Sequence, residues 1–180
     1  DQGLLRRLAL FCQQQEIWLI CDEIYSMFTY GKPHVSLRTA AASLDWLVVI
    51  DGLSKSHAMS GWRIGYMVIP ESLKREALKV HDATMICVPR ISQVAAIAAL
   101  SGGDGHVSAF RETFARRRAL ICERLDRLPH VFQYVPPAGA YYVFPRVVAD
   151  HEDSREFAFR LLEEARVTLT PGSAFGPSGE

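Results

Sequence analysis

The sequence predicts an α/β fold. A mostly parallel sheet with flanking helices occupies residues 1–104, and a smaller α+β domain occupies 105–180. Three observations carry that prediction. Ile17-Trp18-Leu19-Ile20-Cys21 and Trp46-Leu47-Val48-Val49-Ile50 are short apolar runs, β-branched in part and of the length of buried strands. The first follows a helical pattern after a very short connection, as αβ units in parallel sheets require. The run Gly102-Gly103-Asp104-Gly105 then breaks the chain, and beyond it the pattern becomes a long helix, a hairpin-like pair and a further helix.

Leu4, Leu5, Leu8, Phe11 and Cys12 recur at helical spacing, so a helix is expected from about 3 to 15 with one apolar stripe. The strand at 17–21 follows. Gly31, Lys32 and Pro33 interrupt the chain, and a polar loop with a short helical piece leads to the strand at 46–50. Gly65-Tyr66-Met67-Val68-Ile69 reads as a third strand, ended by Pro70, and 71–83 as a helix. Ile91 to Leu100, Ala-rich and apolar on most sides, reads as a buried helix. The glycine run is a linker rather than a phosphate cradle, since no strand precedes it. Val107, Phe110, Phe114, Ile121, Leu125 and Leu128 mark one face of a long helix, and Arg116-Arg117-Arg118 its solvated side. Val131 to Val135 and Ala140 to Phe144 read as two strands around Pro136-Pro137-Ala138-Gly139. Ser154 is placed to cap a last helix with Phe157, Leu161, Leu162 and Ala165 on its core face. Val167-Thr168-Leu169-Thr170 reads as a short final strand.

Composition narrows the class. Twenty basic and twenty acidic residues balance, which points to neither nucleic acid nor an anionic membrane. No apolar run approaches the roughly 20 residues that span a bilayer. The opening DQGLLRRLALFCQQQ places its arginines inside an amphipathic pattern with no small-residue cleavage site, so a cytoplasmic protein is expected. Cys12, Cys21, Cys87 and Cys122 show no C-x-x-C pairing and no accompanying histidine spacing, so neither a disulfide framework nor a metal site is expected.

The chemistry concentrates in Asp51 to Tyr66, DGLSKSHAMSGWRIGY. Lys55 lies between Ser54 and Ser56 in the turn after a buried strand, where a lysine can be desolvated and act as an amine near neutral pH. Arg63, bracketed by Gly61 and Gly65, and the serine hydroxyl are groups suited to a phosphate. Together they suggest a phosphorylated aldehyde bound to lysine.

These residues, as S-K-S-x-A-x-x-G-W-R-I-G-Y, resemble the lysine signature of the class I/II aminotransferases, which are fold-type I pyridoxal-phosphate enzymes. Asp22-Glu23-Ile24-Tyr25 at the end of the first strand resembles that family's D-x-x-Y, and P-x-G-A-Y-Y-x-F and T-P-G-S-A-F-G resemble its smaller C-terminal domain. The resemblance implies that Lys55 is catalytic and carries pyridoxal 5′-phosphate as a Schiff base. It further implies that Asp22 pairs with the pyridine nitrogen, that Tyr25 donates to the ring oxygen, and that Ser54 and Arg63 bind the phosphate. It implies a homodimer acting on amino acids and 2-oxo acids. Aspartate, aromatic and acyl-diamino acids fit the motif equally well.

The resemblance also implies that these residues form the second half of such an enzyme. The N-P-x-x-P-T-G segment, the loop that caps the phosphate and the substrate-carboxylate arginine are expected elsewhere in a longer chain, and this stretch alone is expected to bind the cofactor weakly and not turn over. Gly52 stands where some relatives place a serine.

Plainer roles compete with these. Asp22 could cap a helix, Tyr25 could pack in the core, Arg63 could form an ion pair and Ser54 could satisfy its turn. His57 and Trp62 are assigned packing roles, and Glu23 a structural one on the other face of the strand end. A pyridoxal-phosphate lyase or synthase would use the same lysine, aspartate and tyrosine. An aminotransferase-like effector domain of a transcription regulator would bind the cofactor without turnover.

Overall fold

The structure, a computed structural model, describes residues 1–148 and 153–179. Helix α1 (Gln2–Gln14) starts at Asp1, whose side chain caps it by accepting from the Gly3 N–H. Strand β1 (Leu19–Asp22), the short helix α2 (Leu37–Ala40) and strand β2 (Leu47–Gly52) follow. A 3-10 turn, Ser60–Trp62, leads to β3 (Gly65–Val68), and then come α3 (Glu71–Met85), α4 (Arg90–Ser101) and α5 (Gly105–Asp126). Beyond them lie β4 (Phe132–Gln133), β5 (Arg146–Val147) and α6 (Ser154–Ala165). The chain divides into one compact unit of residues 1–117 and 138–141 and a second of 118–137 and 142–180.

The first unit is built on a three-stranded sheet in the order β1-β2-β3. β1 and β2 run parallel, with Leu19 opposite Leu47 and Asp22 opposite Ile50. β3 runs antiparallel to β2, so the sheet is mixed rather than mostly parallel. A parallel return needs a crossover, commonly a helix, whereas residues 53–64 hold only a turn and fold straight back. The core beneath the sheet is Leu37, Leu47 and Val49, packed by Leu5, Ala9, Leu19 and Val68. Each such side chain, fully buried, contributes about 1.5–3 kcal/mol.

Helix α4 differs from its expectation. Its buried residues are the small ones, Ser92 and Ala96, while Ile91, Ile97 and Leu100 are each more than 60% exposed. Small side chains admit close contact: Leu53, Met59 and Ala96 form a second core cluster, with Ala95 and Ala99 against it.

In the second unit β4 pairs antiparallel with β5, not with residues 140–144 as expected. The reason is local. Residues 138–141 belong to the first unit, where Gly139 bridges Thr29, and Pro145 separates them from β5. Helix α6 is capped by Asp153, which accepts from the N–H groups of Arg155 and Glu156, rather than by Ser154. The Ser154 hydroxyl meets Ser173 instead. Residues 167–170 carry no strand, and Gly172–Phe175 forms a 3-10 turn.

The β2–β3 pair closes at Gly52 opposite Gly65. A Cβ on Gly52 would lie 3.0 Å from the Gly65 Cα and 3.2 Å from the Ile64 carbonyl oxygen, so the position favours glycine. A Cβ on Gly65 would sit 3.0 Å from the Asp51 carbonyl oxygen. Backbone on both sides leaves little room to yield. Gly65→Ala is expected to cost about 1–2 kcal/mol in urea unfolding, less any gain from a stiffer unfolded chain. An unchanged midpoint would show that the strands separate freely.

Candidate active site

Parallel pairing brings the carboxyl ends of β1 and β2 to one edge of the sheet, and antiparallel β3 begins at that edge. Asp22 ends β1 with Tyr25 just beyond it, Ser54 and Lys55 follow β2, and Arg63 precedes β3. All five sequence-predicted residues thus lie at the last residue of a strand or on the connections beyond, at the strand-end edge where open α/β sheets present ligand sites.

The Lys55 loop is fixed from below. Leu53 and Met59 are 3% and 7% exposed against α4, and the Leu53 carbonyl accepts from the N–H groups of His57 and Met59, both at 3.2 Å. The Ser92 hydroxyl donates to the Trp62 carbonyl at 2.8 Å, tying the far end of the loop to α4. Ala58 and Arg63 have φ of 53° and 52°, left-handed values that cost non-glycine residues about 1–3 kcal/mol and cluster at functional sites.

Lys55 is half-buried, and its Nζ lies 5.7 Å from the centroid of the Tyr25 ring, within reach of a cation–π contact. No carboxylate among the described residues pairs with it. The ammonium is therefore held by a ring face and keeps its three donors. Asp22 is exposed, and its Oδ1 accepts the Ile24 N–H at 3.1 Å, a turn contact that leaves Oδ2 free to accept. The Ser54 hydroxyl makes no hydrogen bond within the described residues. The exposed Arg63 guanidinium donates to the Ser60 carbonyl at 2.9 Å and retains further donors. Lys55 and Tyr25 are brought into contact. Asp22, Ser54 and Arg63 share the edge without bonding to one another.

Glu23, next to Asp22, points to the other face and is 6% exposed. Its Oε1 accepts the Leu37 N–H at 2.9 Å and the Cys21 thiol at 3.6 Å, and its Oε2 lies 3.4 Å from His34 Nε2. Burial pushes its pKa up, but hydrogen bonds from Ser36 and Leu37 and the nearby His34 outweigh burial and hold it below the ordinary 4.5. The same environment pushes the Cys21 thiol up to about 11, through burial first and then Glu23, so this cysteine stays protonated and unreactive. Glu23 is structural, as the alternation of faces implied.

Asp51, opposite Tyr66, accepts from the Gly52 N–H at 2.6 Å and from the Tyr66 hydroxyl at 3.1 Å. Its pKa is raised, by burial above all and despite those two bonds. The His57 Nδ1 lies 2.8 Å from the Ser56 hydroxyl, and its ring lies 4.7 Å from that of His106. His57 packs, as expected. Trp62 is 40% exposed, and its carbonyl accepts from Ser92 on α4.

Sequence reasoning left one neighbour without a role. Tyr141, inside the P-x-G-A-Y-Y-x-F motif, meets the Tyr25 ring edge-on at 5.3 Å. The motif was visible, but nothing in its spacing says which of its rings reaches the first strand.

The Glu23 environment predicts a pH dependence. A carboxyl with a depressed folded pKa adds stability above its ordinary 4.5 and loses it as pH falls through the lower folded value. Glu23→Gln is expected to flatten the acid limb of the stability curve below that pH, measured by urea unfolding. An unaltered slope would show that another group controls it.

Comparison with known proteins adds the following. The model of the family described as aminotransferase class I and II matches residues 2–179. The "Probable N-acetyl-LL-diaminopimelate aminotransferase" of Bacillus subtilis is 38% identical over 98% of this chain and 44% of its own length. The aspartate aminotransferase of Thermotoga maritima is 34% identical over 95% of this chain and 43% of its own length. The crystal structure of an aromatic aminotransferase from Pyrococcus horikoshii superposes with a TM-score of 0.87 at 33% identity, covering 97% of this chain and 47% of that one. The chain spans less than half the length of these relatives.

Proposed function

The chain belongs to the aminotransferase class I and II family, and on that premise we propose that the whole protein transfers an amino group between an amino acid and a 2-oxo acid, with Lys55 as its catalytic base. Enzymes of this family use pyridoxal 5′-phosphate. The residues present fit that group: among the described residues, a half-buried lysine with no carboxylate partner and a serine hydroxyl without a hydrogen bond, together with an exposed arginine with donors to spare and an exposed aspartate.

Lys55 would hold the cofactor's aldehyde carbon, Ser54 and Arg63 its phosphate, Asp22 its ring nitrogen and Tyr25 its ring oxygen. When bound, the cofactor supplies an electron sink for the bonds at the substrate's Cα. Asp22, ionised, favours a proton on the neighbouring ring nitrogen by Coulomb attraction. The Tyr25 hydroxyl donates a hydrogen bond to the ring oxygen. Released from the aldehyde carbon when the substrate's amine takes its place, the neutral Lys55 Nζ would accept the proton from the substrate's Cα and later donate it, general-base and then general-acid work by one group. The Arg63 fork neutralises the phosphate and fixes its direction. A cytoplasmic homodimer fits this reading, and among the described residues no helix is long and apolar enough to cross a membrane.

The observation that carries the reading is the Lys55 ammonium against the Tyr25 ring, at the sheet edge where Asp22 ends its strand. The test is covalent capture. With saturating pyridoxal phosphate and borohydride, mass spectrometry of this chain is expected to find the adduct on the peptide holding Lys55, and Lys55→Ala to remove it. Adduct spread over surface lysines, or surviving the substitution, would sink the proposal. Arg63→Ala is expected to weaken capture of pyridoxal phosphate by roughly 10-fold or more, the worth of a charge-assisted hydrogen bond. Capture of pyridoxal, which lacks the phosphate, should be unchanged. An equal loss for both would mean that Arg63 acts on the fold instead.

A further inference from the structure

Four aromatic rings form a chain that ends at Lys55. Phe28, fully buried, meets Phe114 edge-on at 5.2 Å. Phe114 stacks on Tyr141 at 5.0 Å with an interplanar angle of 27°. Tyr141 meets the Tyr25 ring at 5.3 Å and 83°, and the Lys55 Nζ lies over that ring.

Tyr141 is held where it is by backbone. The Tyr30 N–H donates to the Ala138 carbonyl and the Ala140 N–H to the Phe28 carbonyl, both at 2.8 Å. The Tyr30 hydroxyl donates to the Ala140 carbonyl at 2.7 Å. Gly139 sits so close that a Cβ there would lie 3.0 Å from the Phe28 carbonyl oxygen. Ala140 takes a φ of 58°, a strained value for a residue with a Cβ, and so turns the chain into Tyr141. Strain, a required glycine and three hydrogen bonds converge on one outcome, the placement of the Tyr141 ring. The first two strands could form their ladder without it.

We propose that Tyr141 is a positioning residue for the Lys55 site: its ring fixes the orientation of the Tyr25 ring, and through it the seat of the Lys55 ammonium. Tyr25 lies in the turn after β1, where its carbonyl accepts from the Phe28 N–H at 2.9 Å. Edge-to-face packing with Tyr141 restricts the turning of the Tyr25 ring, and the cation lies over that same ring. The ring of Tyr141 does this, so phenylalanine can replace it.

The proposal rests on the reading of Lys55 as the cofactor lysine, and two readouts separate the two claims. The first is the NMR resonances of the Tyr25 ring in the unliganded chain. The second is the pyridoxal phosphate concentration that gives half-maximal borohydride capture on Lys55. Tyr141→Leu is expected to move the Tyr25 resonances and to raise the half-capture concentration up to roughly 10-fold, the worth of one aromatic pair. Tyr141→Phe should restore both. Phe114→Leu, which removes the ring stacked on Tyr141 but leaves Tyr141 in place, should move the Tyr25 resonances in the same sense and covers a failure of Tyr141→Leu to fold. Tyr25 resonances unmoved in the leucine variants, or Tyr141→Phe behaving like Tyr141→Leu, would overturn the proposal. Should the wild-type chain capture nothing on Lys55, the cofactor reading fails, and the Tyr25 resonances still decide the role of Tyr141.

Discussion

The close approach of Gly52 to Gly65 is the constraint on which the site's geometry depends. Two strands meeting there with no side chains between them can pair antiparallel to their last residue. That pairing returns the chain to the edge it left, with Lys55 on the way out and Arg63 on the way back. A larger residue at either position would shorten the ladder and move both cations. The α4 alanines serve the same end from the other side, since only a small-residue face lets Leu53 and Met59 seat the loop. The loop is positioned by what is absent from its neighbours.

Electrostatics is divided between the faces of the first strand's end. Glu23 turns inward and spends its charge on donors from the 34–37 segment and Cys21. Asp22 turns outward with only a turn contact, so its charge stays available. Two adjacent carboxylates thus meet opposite surroundings, one buried against backbone and one exposed. Strand alternation alone produces the split.

Much of this was legible in the sequence. The helices and the first three strands follow from spacing and β-branching, and the two motifs put the five residues they single out at the ends of those strands. What was not legible is non-local. The direction of β3 depends on a turn tied by its hydrogen bond to Ser92 of α4, thirty residues further on, which no window around residue 60 contains. Residues 140–144 have strand composition, yet their first members are claimed by Phe28 and Tyr30, so the partner of β4 shifts to residues 146–147. Helix α4 has a core composition, yet its sequence does not say that alanine rather than isoleucine faces the loop. Ser154 and Asp153 are equally good caps by composition, and Ser173 decides between them by engaging the serine.

The bond from the Tyr30 hydroxyl to the Ala140 carbonyl spans 110 residues of chain. Contacts of such separation form slowly, because a long loop must close before they return any energy. The β1–β2 ladder, whose partners lie far nearer in sequence, can assemble early. The surroundings of Tyr25 are completed only when residues 138–141 arrive. During synthesis from the N-terminus, the residues of the sheet and its lysine emerge well before the ring that abuts Tyr25.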